Sequence, residues 1–379
     1  MKKILMVAAL AAMGAGAAPV VEITSVQQQY PWTNTVDITY TSTGIAEENT
    51  YYVVFKAQDS AGTEIGVITN DLKVSQGSTW VAQWQPPFNV RYENCTMTPY
   101  VYKGGMDDYM VVDLETWQVT FEGMSTQDAS NKKYNTNDYK TKKLVLRKIE
   151  KDKGYFVGKS GNNLNSPHTV TLSKNYYIGI FDITEAQYER IANGNKSATS
   201  TLPKSSLSWN ELRGSAGSSA TPGSGIFKTF AVKTSLAGWD LPTATMYEIA
   251  ARAGSSALCP TGNSQTQALL DTWGWGSGNS GKTRHNVGLK AANAWGLYDV
   301  VGNVAAWTRD SVPTTDLASI QADAVTPIAS GNANNAIIKK GSYNTAHTAE
   351  YWQFANLNTG NAKSTIADTV GFRIAYIPE

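Results

Sequence analysis

The sequence predicts two domains of different class: an N-terminal all-β sandwich and a larger C-terminal α+β domain with much irregular structure. Three observations predict this. Short runs with period-two alternation fill Val20 to about Asp113, with turn residues between them. Helix-start signals appear only later, beyond Leu144, among many Trp, Asn and Gly residues. The length of 379 residues exceeds one ordinary domain, and 41% hydrophobic content is enough to fill a core and too much for a disordered chain.

The elements follow in order. Met1-Lys2-Lys3 is a short positive segment, and Ile4 to Met13 is an apolar run too short to cross a bilayer core of about 30 Å. Ala15-Gly16-Ala17 has the small-x-small form of a cleavage site. Residues 1–17 are therefore read as a secretory signal, and the mature chain is expected in the periplasm, outside the cell or on its surface. No later segment is apolar for long enough to make a transmembrane helix.

Residues 18–113 form the expected sandwich. Val36, Ile38 and Tyr40 alternate with Asp37 and Thr39. Tyr51 to Phe55 is a β-rich run, Trp80, Ala82 and Trp84 alternate again, and Tyr100-Val101-Tyr102 follows. Asp59-Ser60-Ala61-Gly62 is a turn between such runs. Several short strands at regular spacing indicate an immunoglobulin-like (Ig-like) architecture, without the Cys-Trp-Cys hallmark. The chain has 2 cysteines, Cys95 and Cys259, in different expected domains, and they are read as isolated buried thiols.

Residues 114–141 read as a linker, although the part through Phe121 is compatible with a last strand. Ser125 to Tyr139 is polar. In the basic run Lys140 to Lys153, Leu144, Leu146 and Ile149 interleave with the charges, as on a solvated strand face. From residue 142 to 379 the second domain is expected. Thr184-Glu185-Ala186-Gln187 is a capping box, with Ile183 and Tyr188 as its staple and Gly194 at the helix end. A second helix follows Pro242-Thr243, from about Ala244 to Ala253, and stops at Gly254.

Lys plus Arg number 32 against 31 Asp plus Glu. A near-neutral chain has no electrostatic drive toward nucleic acid or an anionic membrane. Gly276 to Thr283 fits the phosphate-loop pattern, but Asp271 to Trp275 is not a buried strand and Arg284 to Gly288 has no helical period. The match reads as a surface loop.

Four blocks of the second domain carry a family resemblance. They are Tyr177 to Tyr188, Leu241 to Gly254, Asn293 to Val304, and the pair Lys340-Gly341-Ser342-Tyr343 with Gly371-Phe372-Arg373. In this order they resemble the formylglycine-generating enzyme, or sulfatase-modifying factor, family. The resemblance implies an α+β fold of C-type lectin-like architecture. It also implies a copper-dependent oxidase whose ion sits between two cysteines a few residues beyond the Gly-Ser-Tyr block.

Here those positions fall near Thr345 and Glu350, and no cysteine lies between Pro260 and Glu379. Thiolates suit Cu(I) because both are soft. A hydroxyl and a carboxylate do not replace them, so copper is not expected. In the family Gly-Asn-Val precedes Trp-Glu-Trp, whose carboxylate helps to hold calcium. Ala305-Ala306-Trp307 lacks it, leaving Asp299 and the carbonyls of Gly302 and Val304 for weak calcium binding or none. Iron-dependent relatives use a His-rich helical motif, whereas His168, His285 and His347 have no such spacing.

The resulting expectation is a non-catalytic ligand-recognition module. Asn344, Thr345, His347, Glu350, Tyr351, Gln353, Asn356 and Asn358 lie where the oxidase would have its cleft. A surface glycan, a peptide or a protein is the expected partner. The alternatives are a sulfatase-modifying oxidase with a reorganised site, and a structural surface component.

Overall fold

The computed structural model describes residues 20–378, except 29–34, 45–50, 62–63, 73–78, 85–94, 104–107, 124–131, 152, 215–221, 223, 263–266, 322, 329–331 and 347–349. The expected signal segment 1–17 and His347 lie outside the described residues. The chain divides into two compact units, the first of residues 1–108 with 121–130 and the second of residues 109–120 with 131–379.

The first unit contains β1 (Val20–Gln28), β2 (Val36–Thr43), β3 (Tyr51–Gln58), β4 (Glu64–Leu72), β5 (Thr79–Trp84) and β6 (Thr96–Lys103). They make two three-stranded antiparallel sheets, β1-β2-β5 and β4-β3-β6. The alternation works as expected: Val36, Ile38 and Tyr40 are buried while Asp37 and Thr39 are half-buried. Val21, Ile38 and Tyr40 from one sheet meet Val53, Phe55 and Met97 from the other in a single core. Tyr40 and Phe55 rings lie 4.9 Å apart across it.

The second unit is β-rich with few helices. It begins with β7 (Tyr109–Asp113), β8 (Val119–Glu122), α1 (Asn137–Thr141), β9 (Lys143–Ile149), β10 (Tyr155–Val157), β11 (His168–Val170) and β12 (Tyr176–Gly179). It continues with α2 (Glu185–Asn193), α3 (Trp209–Arg213), α4 (Gly225–Thr234), β13 (Trp239–Asp240), α5 (Ala244–Arg252), α6 (Gln267–Leu270) and β14 (Ala305–Val312). It closes with α7 (Leu317–Ile320), β15 (Asn332–Lys339), β16 (Asn358–Ala362), β17 (Val370–Phe372) and β18 (Ala375–Tyr376). One sheet runs β13-β18-β12-β9-β7-β8, another β16-β15-β14-β17, and β10 pairs β11.

The boundary between the units differs from the sequence expectation. Tyr109–Asp113, read as part of the sandwich, pairs instead with β9 of the second unit, Val112 opposite Leu144. Met110, Val112 and Leu114 share a core with Leu144, Leu146, Trp307 and Phe372. Alternation marks a strand but does not say which sheet receives it. The segment read as a linker also holds β8 and α1, and Lys140 is buried, its ammonium 5.5 Å from the Phe181 ring centroid.

The expected helices form. The Thr184 hydroxyl accepts the Gln187 amide at 3.1 Å, and the Gln187 carboxamide returns to the Thr184 amide at 3.0 Å. Gly194 ends α2 in the left-handed region. Thr243 caps α5 through the Met246 amide, and α5 is buried on every side. Both cysteines are buried thiols with no disulfide between them.

Candidate functional site

The turn after β15 builds the first constellation. The Ser342 amide donates to Thr345 Oγ1 at 2.9 Å, and the Thr345 amide to the Ser342 carbonyl at 2.9 Å. The turn is hung from Asn303, whose carbonyl accepts the Tyr343 amide at 2.6 Å. Asn303 is itself left-handed, with its side chain clasping the His285 backbone at 2.9 and 3.1 Å. Beside it, Gly302 has φ +72°, and a Cβ there would stand 2.4 Å from the Trp275 carbonyl oxygen. This is why the Gly-Asn pair in the signature block is needed.

The loop that matched the phosphate pattern supports the same turn. Ser280 Oγ donates to the Tyr343 carbonyl at 2.7 Å, and the Ser277 amide to the Thr345 carbonyl at 3.0 Å. The amides of Gly276, Asn279 and Ser280 are consumed within the loop, by Asn279 Oδ1 and the Gly276 carbonyl. Turns rather than a helix follow it, so no fan of amides faces outward for a phosphate. His285 stacks on Trp275 at 3.7 Å, and the Lys290 ammonium lies 3.8 Å from the same Trp275 ring.

Glu350 and Gln353 form a second constellation around a residue that sequence reading missed, with Tyr351 between them in the chain. Lys159 Nζ donates to Gln353 Oε1 at 2.6 Å and lies 3.4 Å from Glu350 Oε1. Glu350 is 73% exposed and Tyr351 42%, so carboxylate and ring both face solvent. Lys159 is almost two hundred positions away in sequence, and no local signal ties it to this surface.

What holds Lys159 is buried beneath it. Glu248 of α5 accepts from the Gly158 amide at 2.8 Å, Asn165 Nδ2 at 2.9 Å, Arg252 Nε at 2.8 Å and Lys339 Nζ at 3.4 Å. Asn165 Nδ2 also reaches the Ala355 carbonyl at 3.0 Å, and Lys339 Nζ the Phe354 carbonyl at 2.5 Å. One carboxylate thus ties the loop carrying Lys159 to the segment carrying Gln353. Burial opposes its ionisation, but Lys339 and Arg252 outweigh burial and hold it below the usual carboxylate range.

The remaining expected residues are placed as follows. Asn344 is exposed, and Asn356 and Asn358 are half-buried. Asn358 lies in β16 opposite Ile338 and accepts from Asn361 Nδ2 at 2.9 Å. The structure therefore distributes the expected residues over the Ser342 turn, the Lys159 surface and β16.

Neither metal that the family resemblance brings in suits these side chains. The positions aligned with the copper thiolates offer a hydroxyl bound into a turn and a carboxylate beside an ammonium, both hard donors. Asp299, the only carboxylate of the calcium set, is fully buried among other partners. Its Oδ2 accepts the Gly288 amide at 2.7 Å, and its carbonyl accepts Lys340 Nζ at 2.7 Å. With its charge facing Lys340 and Arg373, it is not the open oxygen ligand calcium needs. Among the described residues no three His, Cys, Asp or Glu side chains gather as a metal site.

The fold and the turn together define a β-rich α+β scaffold built around the Gly302-Asn303 cradle, with no thiol at its closing turn. The family model of the sulfatase-modifying factor enzyme 1-like domain matches residues 140–377, more than half the chain. The chain belongs to that family. Among solved structures it is similar to variable protein 1 of Treponema denticola, with 21% identity and a TM-score of 0.50, covering 62% of this chain and 96% of that one. It is also similar to PvdO of Pseudomonas aeruginosa, with 17% identity and a TM-score of 0.51, covering 62% and 94%. No curated protein sequence matches the chain.

Proposed function

We propose that this chain is an exported, non-catalytic recognition protein whose sulfatase-modifying-factor-like domain binds a surface glycan, peptide or protein. The N-terminal unit is read as an Ig-like spacer, and the C-terminal unit as a C-type lectin-like scaffold. The observation that carries the reading is the replacement at the closing turn. Where the family resemblance puts two copper thiolates, Thr345 is engaged by Ser342 and Glu350 stands in solvent beside Lys159.

What remains is a surface suited to recognition. One short segment, Glu350 to Gln353, presents an exposed carboxylate and a carboxamide that meet a lysine fixed from below, with an exposed phenol between them in the chain. Aromatic rings with amide and carboxylate neighbours give adaptable contacts at low entropic cost. Among the described residues no helix is long and apolar enough to cross a membrane.

The test is a glycan array and a pull-down from surface extracts with purified protein, alongside Tyr351→Ala and Glu350→Ala. Saturable binding that both variants weaken by tenfold or more is expected. Blank screens with folded protein, or binding indifferent to both variants, would overturn the reading.

A further inference from the structure

Strand β10 puts an aromatic ring where alternation calls for a polar residue. Tyr155 and Val157 point into the core, so Phe156 between them points outward and is 39% exposed. Its cross-strand neighbour Thr169 is exposed too. Single exposed phenyls are ordinary on protein surfaces. Phe156 differs because it is clamped. The Arg252 guanidinium lies 5.1 Å from its ring centroid and 5.7 Å from that of Phe354. Arg252 is 3% exposed, and each of its nitrogens donates: Nε to Glu248 at 2.8 Å, Nη1 to the Ala257 carbonyl at 2.6 Å and Nη2 to the Gly158 carbonyl at 2.8 Å. The exposed ring therefore rests on a fixed cation.

The same contacts bring that ring beside Lys159. Arg252 joins Phe156 to the Gly158 carbonyl, one residue before Lys159, and to Phe354, one residue after the Gln353 that accepts the Lys159 ammonium. The Lys159 side chain is 11% exposed, and its ammonium meets Gln353 Oε1 at 2.6 Å and Glu350 Oε1 at 3.4 Å. An ammonium carries three N–H donors. Among the described residues the third has no partner, and neither has the second oxygen of the Glu350 carboxylate. A spare donor and a spare acceptor thus stand together, next to an exposed ring.

We propose that this surface binds an uncharged saccharide, with Phe156 as the stacking platform and Lys159 with Glu350 as the clamp on a sugar hydroxyl. The inference rests on the recognition role proposed above and narrows its ligand class. A hydroxyl accepts and donates at once, so one sugar hydroxyl takes the spare Lys159 proton and gives its own to Glu350. A sugar ring carries C–H groups on one face and hydroxyls at its rim. The C–H face buries against the phenyl while the rim keeps its polar partners. The charges disfavour an ionic ligand, because Lys159 and Glu350 face each other and an ion of either sign meets a like charge on one of them. The site is also preorganised: Gln353 holds Lys159 and Arg252 holds Phe156 before any ligand arrives.

The experiment is saturation-transfer NMR on the full-length purified chain with methyl glycosides of glucose, galactose, mannose and N-acetylglucosamine, and with methyl glucuronide and glucosamine as charged members. The expected result is saturable binding of a neutral glycoside, with transfer strongest to its ring C–H protons. Phe156→Ala and Glu350→Gln, each shown by circular dichroism to be folded, should weaken it by tenfold or more, and Phe156→Trp, which keeps the platform, should retain it. No neutral glycoside bound, a preference for a charged member, or binding unmoved by Phe156→Ala would overturn the saccharide site. Capture of a peptide or surface protein that Glu350→Ala weakens, with no saccharide bound, would overturn this inference and leave the recognition reading standing. Silence from saccharides, peptides and proteins alike would overturn both.

Discussion

Removing the Glu248 carboxylate tests the idea that one buried anion organises the surface above it. In Glu248→Ala, Arg252 and Lys339 lose their counter-charge while 3% and 1% exposed. Stranding one partner of a buried pair costs about 3–5 kcal/mol. The Gly158 amide loses its only acceptor named above, adding about 1–3 kcal/mol for a buried group. Asn165 and Lys339 each keep a carbonyl partner, at Ala355 and Phe354, which limits their share. A loss of about 5 kcal/mol is therefore expected, close to the whole stability of a marginal domain.

Glu248→Gln keeps the shape and one acceptor, and should lose about half as much. The assay is urea denaturation followed by tryptophan fluorescence at neutral pH. The carboxyl of Glu248 is held below its usual range, so its contribution is present above the unfolded value of 4.5 and fades as pH falls through the folded one. The gap between wild type and Glu248→Gln should narrow on acidification. A loss under about 1 kcal/mol in Glu248→Ala would refute the argument.

Three further outcomes are expected. Thr184→Ala removes a helix cap and leaves the Lys140 carbonyl, which the hydroxyl now satisfies at 2.6 Å, buried and bare; a loss of about 2 kcal/mol by thermal or urea melting is expected. Burial pushes the Asp310 carboxyl up to about 6 from 3.8, despite the amides of Ala244 and Ile328 it accepts. Its contribution is thus present below pH 3.8 and lost as pH rises through 6, so wild type should lose about 3 kcal/mol relative to Asp310→Asn across that window. Incubation with Cu(I) and a cysteine-containing sulfatase peptide should give no formylglycine by mass spectrometry; conversion above background would return the chain to the oxidases.

Local chemistry was legible in the sequence and long-range pairing was not. The Thr184–Gln187 box and the Thr243 cap follow from residue types three apart, and the structure forms both. The Val36–Tyr40 alternation gave the buried face of β2. The same signal misassigned Tyr109–Asp113, because nothing local distinguishes a partner at the sandwich from one at Leu144. Glu350 and Gln353 were found through the family blocks, but Lys159 was not, since its tie to them runs through space and through Glu248. Nor does the pairing of Lys340 with Asp182 leave any trace in spacing.

The position of β18 has a consequence for how the molecule is made. Ala375–Tyr376 lies inside its sheet, bonded to β13 on one side and β12 on the other. Until those two residues emerge from the ribosome, β13 has no partner in the sheet and β12 is joined only to β9. This side of the sheet therefore stays open until the last strand of the unit has been made. Deleting Ala375 and Tyr376 would leave Trp239 and Tyr177 without the strand that joins them, a lesion far larger than two residues suggest.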